Sequence, residues 1–135
     1  MLKTIPEVIA LVRGSLTIIT AAEAVPLAKQ QNGVIIDVRE PSEYAEKSAE
    51  GTINIPRGLL EMQMLQRYPD EAQTIFLHCA TGARAILSAE QLKRVGYLNV
   101  SVITSNLDDI CYDFGLVYVS AIIESFILYN FSRLA

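Results

Sequence analysis

Ile75-Phe-Leu-His-Cys79, then Ala80-Thr-Gly-Ala-Arg84, then the run Ala85 to Val95, is the stretch on which the reading of this chain turns. Four of its first five residues are apolar or aromatic, which suits a strand buried on both faces of a sheet. A short loop of small residues with one glycine follows. Behind it Ala85, Ala89, Leu92 and Val95 recur at helical steps of four, three and three, and Gly96 stands where a helix stops. A cysteine at a strand end, facing backbone N–H groups at a helix N-terminus, sits in a positive local field that favours thiolate over thiol. The stretch reads as a cradle for a nucleophile.

Outward from it, strands and helices alternate. Thr4-Ile-Pro-Glu7 has capping-box spacing and starts a helix to about Arg13, closed by Gly14; Leu16 to Ile19 reads as a short strand. Thr20-Ala-Ala-Glu23 is a second capping box for a helix ending near Gln31, before an Asn32-Gly33 turn. Val34 to Val38 is a strand of the buried, parallel kind, with Asp37 the polar exception at its C-terminal end. Pro41 and Ser42 start a brief helix, Gly51 to Pro56 is extended, and Leu59 to Tyr68 is helical. Asn99 to Thr104 reads as a further strand and Asn106 to Phe114 as a short helix. This order predicts an open α/β sheet, mainly parallel, with ligands beyond the strand C-termini, so Asp37 and Cys79 are expected to look into one site.

Composition narrows the chemistry. The chain has 135 residues, 51% of them hydrophobic, and a formal charge of −4 with acids and bases interspersed. One domain with a sizeable core is expected, and no basic stripe points to nucleic acid. Two cysteines, Cys79 and Cys111, and one histidine, His78, are too few for a disulfide framework or a zinc site; no metal or cofactor is expected. The apolar run Ile9 to Ile19 is broken by Arg13 and Gly14 and preceded by a single Lys3, unlike a signal peptide. A cytoplasmic setting, where a free reactive thiol persists, is expected.

Asp37-Val-Arg-Glu-Pro-Ser-Glu-Tyr44, Gly51-Thr-Ile-Asn-Ile-Pro-Arg-Gly58 and Cys79-Ala-Thr-Gly-Ala-Arg84, with the helix to Gly96-Tyr97, resemble a single-domain rhodanese over roughly Thr20 to Val102. The resemblance implies a three-layer α/β fold with a central, mostly parallel five-stranded sheet flanked by helices, formed here by residues 1–115. It implies a sulfurtransferase of the thiosulfate:cyanide type that carries sulfur as a persulfide on Cys79. Thiosulfate or a persulfide would be the donor, and cyanide or a thiol the acceptor. The N–H groups of Ala80, Thr81, Gly82, Ala83 and the start of the helix would cradle the sulfur, and Arg84 would draw in the anionic donor. Asp37 and Arg39 would either touch substrate or pair with each other at the loop entrance.

The chain departs from this family in two places. Ser48-Ala-Glu-Gly-Thr52 stands where relatives often begin with histidine, and past Val102 this chain has Thr104 to Tyr112 and no tryptophan, in a segment that normally packs beside the active-site loop. Two other readings compete with a sulfurtransferase. One is a phosphatase or arsenate reductase on a similar scaffold. Cysteine phosphatases place five residues between cysteine and arginine, whereas Cys79 and Arg84 are separated by four, too short a loop for a tetrahedral phosphate. The other is a non-catalytic rhodanese-like binding module. Strand alternation turns His78 away from Cys79, so a satisfied core histidine is expected there, and Cys111 is expected to be a packed thiol. The segment 116–135, apolar over Leu116 to Phe131 apart from a few polar residues, is expected to be helical and to pack on the sheet or self-associate into a homodimer. It is short for a membrane span and has Glu124 near its middle.

Overall fold

The computed structural model describes residues 1–115; the C-terminal segment 116–135, with its expected packing or self-association, lies outside the described residues. The elements run α1 (Ile5–Arg13), β1 (Thr17–Ile19), α2 (Ala21–Gln30), β2 (Val34–Asp37), α3 (Pro41–Glu46) and β3 (Thr52–Asn54). A single 3-10 turn (Arg57–Leu59) then leads into α4 (Leu60–Arg67), β4 (Thr74–His78), α5 (Ala83–Val95), β5 (Asn99–Ile103) and α6 (Leu107–Phe114). The five strands form one sheet in the order β1-β5-β4-β2-β3, and every pairing is parallel.

Both capping boxes form. The Thr4 and Thr20 side chains accept from the N–H groups of Glu7 and Glu23, whose carboxylates return to the cap N–H groups. At the other end of a helix, Gly96 ends α5 with φ +124°, a conformation that disfavours side chains.

Side-chain alternation along the strands splits the core in two. Ile36 and Val38, with Ile75, Leu77, Cys79, Val100 and Val102, pack under α5 and α4 with Ala85, Ala89, Leu92, Leu60 and Met64. On the opposite face Ile35, Phe76 and Ile103 pack against Ala21, Ala24 and Ala28 of α2 and Ile110 and Cys111 of α6. The result is a three-layer helix–sheet–helix sandwich, with β4 as the central strand. Cys79 therefore leaves the middle of the sheet at its C-terminal edge, where open parallel sheets bind ligands.

Candidate active site

Cys79 follows the last residue of β4, and its side chain is 1% exposed. Its Sγ receives two backbone N–H groups, from Gly82 at 3.1 Å and from Ala85 at 3.4 Å. These belong to the loop and to the first turn of α5, whose N-terminal N–H groups have no partners within the helix. Gly82 makes the geometry possible. Its φ of +105° turns the loop straight into the helix, and its carbonyl already accepts from Ile86 N–H at 2.9 Å. The helix consequently starts at Ala83, two residues before the Ala85 expected from periodicity, and Arg84 lies in its first turn. Thr81 is exposed at the loop tip, while Ala80 and Ala83 are half-buried. The Ala80 carbonyl accepts from Leu107 N–H at 3.2 Å, so the segment that departs from the family pattern does pack beside the loop.

Arg84 is already engaged. Its Nη1 and Nη2 donate to the two carboxylate oxygens of Glu43 on α3 at 2.6 and 3.1 Å. This fork-to-fork contact holds the Glu43 carboxyl down at about 2 and raises the affinity of Arg84 for its proton. A cation in the first turn of a helix is unfavourable alone, and Glu43 supplies the compensating charge. Nothing local in the sequence marks Glu43 for this contact. The available signal was the need of Arg84 for an anion.

Asp37 and Arg39 form a buried ion pair. Arg39 Nε lies 3.1 Å from both carboxylate oxygens, its Nη2 donates to Oδ2 at 2.8 Å, and the Arg39 backbone N–H donates to Oδ1 at 3.0 Å. Asn54 Nδ2 clamps the same turn by donating to the carbonyls of Asp37 and Arg39. Asp37 and Cys79 share one edge of the sheet but not one face. Asp37 pairs in register with His78, and its Oδ2 lies 3.7 Å from His78 Nε2, on the side away from the thiol.

His78 does turn away from Cys79, as alternation requires, but it is not satisfied. It is fully buried, its Nδ1 is 3.4 Å from the Cys79 carbonyl oxygen, and Nε2 has no hydrogen-bond partner. Burial pushes its pKa down. Cys111 is a buried free thiol in the α2–α6 layer, its pKa pushed up by burial. Among the described residues no group of three or more potential ligands could hold a metal, and no helix is long and apolar enough to cross a membrane.

The family model "Rhodanese-like domain" matches residues 20–110. The chain belongs to the rhodanese-like domain family. Among curated relatives, the rhodanese-like chain is 32% identical over 65 residues to thiosulfate sulfurtransferase PspE of Escherichia coli (strain K12), a match covering 48% of this chain and 62% of that protein. It is 30% identical over 89 residues to a thiosulfate:glutathione sulfurtransferase of Saccharomyces cerevisiae, covering 58% of this chain and 64% of the relative. The chain thus matches less than two thirds of the length of either. A Rhodopseudomonas palustris protein of unknown function, described as a possible tyrosine phosphatase, superposes with a TM-score of 0.71 at 22% identity over 82% of this chain and 90% of its own. At that identity the likeness is one of fold.

Proposed function

We propose that this chain is a sulfurtransferase that carries a sulfane sulfur as a persulfide on Cys79. The observation that carries the reading is the aim of two N–H groups, Gly82 and Ala85, at the Cys79 sulfur. Fixed donors of this kind favour a thiolate and then the terminal sulfur of a persulfide. With thiosulfate as donor, the thiolate attacks the outer sulfur, a new S–S bond forms, the S–S bond of thiosulfate breaks, and sulfite leaves with the electron pair. An acceptor, cyanide or a thiol, then attacks the outer sulfur of the persulfide and regenerates the thiolate, in a ping-pong cycle. In this reading Ala80, Thr81, Gly82 and Ala83 surround the transferred sulfur. Asp37 and Arg39, committed to each other beneath the sheet edge, brace the end of β2 and the course of the following loop. A reducing, cytoplasmic setting suits the two free cysteines.

The test is the intact mass of the reduced protein after incubation with thiosulfate, beside a Cys79→Ala control. Gain of one sulfur, absent in the control and reversed by cyanide, is the expected result. No gain with thiosulfate or with a thiol persulfide, in folded protein, would return the chain to the non-catalytic binding-module reading.

A further inference from the structure

Arg84 stands in the loop-to-helix turn between Gly82 and Ala85, whose N–H groups both donate to the Cys79 sulfur, yet its guanidinium fork is closed by Glu43. The same holds along this edge of the sheet. Arg39 is paired with Asp37, Lys47 with Asp108 and Arg57 with Glu61, the three cations lying on segments that follow β2 and β3. Each of these cations has its charge cancelled locally, and Arg84 is the one in the turn that holds the sulfur. We infer that Glu43 sets the donor preference of the Cys79 site: by occupying Arg84 it disfavours dianionic donors such as thiosulfate, relative to small thiol persulfides of lower net charge. This inference rests on the sulfurtransferase reading.

Thiosulfate brings two negative charges to a thiolate and releases two on sulfite, in a site where low dielectric enlarges each repulsion. To use Arg84 it has to displace the Glu43 carboxylate or share the guanidinium with it. A persulfide of cysteine carries one net negative charge. Its transfer makes the same S–S bond at Cys79, breaks the donor's own S–S bond, and sends the electron pair off on the donor's thiolate, without a dianion. Glu43 is not a loose side chain waiting to swing aside. Its Oε1 also accepts the Glu40 N–H at 3.2 Å in the cap of α3, so leaving Arg84 disturbs a second contact.

Glu43→Gln keeps the size and the cap acceptor and removes the charge. Thiosulfate binding is measured in Cys79→Ala and in Cys79→Ala/Glu43→Gln proteins by the NMR shifts of the Arg84 Nε–H and Gly82 amide signals. The dissociation constant is expected to fall about three- to tenfold on removing the Glu43 charge. In the active chain, Glu43→Gln should lower KM for thiosulfate by a similar factor and lower KM for cysteine persulfide less. Glu43→Asp, which keeps the charge, should behave as the parent. Unchanged or weaker thiosulfate binding in Glu43→Gln, or an equal change for both donors, would overturn the inference and leave Glu43 as a brace for α3. If Cys79 gains sulfur from neither donor, the sulfurtransferase reading fails instead, and the two binding measurements still decide what Glu43 does to Arg84.

Discussion

Arg39 folds back on Asp37 two residues before it, and both side chains are almost wholly out of solvent, at 3% and 0% exposure. Arg39 Nη2 also donates to the Lys47 carbonyl at 2.7 Å, which ties the end of β2 to the end of α3. Removing either partner leaves a buried charge without compensation, so Asp37→Ala or Arg39→Ala should each cost about 3–5 kcal/mol, read from urea unfolding. Arg39→Lys should not restore the loss, because an ammonium cannot reproduce the planar fork.

Gly82→Ala isolates the backbone. A Cβ there would meet nothing within 4 Å, so only the positive φ resists the substitution. The expected stability cost is about 1–3 kcal/mol. Relaxing φ also swings the Gly82 N–H away from Sγ, and losing one such donor should slow persulfide formation by about ten- to a hundredfold. Single-turnover mass measurements on folded protein would check this; an unchanged rate would remove the Gly82 N–H from the chemistry.

His78 makes stability depend on pH. Its folded pKa is depressed, so below about pH 6.5 the unfolded chain takes up a proton that the folded one refuses. Stability contributed by the neutral form is complete above that pH and declines as pH falls. Stability should fall between about pH 7.5 and 5.5, and His78→Phe should flatten this part of the curve. Urea midpoints at both pH values, in parent and variant, are the measurement.

Cys111 lies on α6 and packs in the core cluster on the face of the sheet opposite Cys79. Cys111→Ala should leave sulfur loading of Cys79 within about twofold, at a stability cost of about 1–2 kcal/mol from the lost packing. A block in sulfur release to the acceptor would instead give Cys111 the part of a resolving thiol.

Much of this fold was legible because its signals are local. A capping threonine reaches its partner glutamate three residues on, and period-two alternation assigned His78 and Cys79 to opposite faces. Periodicity places the start of α5 two residues late, since it reports the buried stripe and is blind to a glycine with positive φ that lets the helix begin before that stripe. Strand order predicts a common edge for Asp37 and Cys79, whereas the face depends on register as well. Alternation predicts a core position for His78, but whether its buried nitrogen finds a donor or acceptor is a matter of which atoms arrive beside it.

What the sequence determined by itself was the alternation of strands and helices, the cysteine at the end of a buried strand, and the glycine that follows it. All of these rest on interactions within a few residues, or on the partition of apolar side chains from water. Tertiary structure alone decided which charges cancel. Glu43 and Arg84 are 41 residues apart and meet because α3 and the start of α5 converge at one edge of the sheet. Their pairing depends on the distance and dielectric between two side chains, and neither quantity exists until the sheet has assembled.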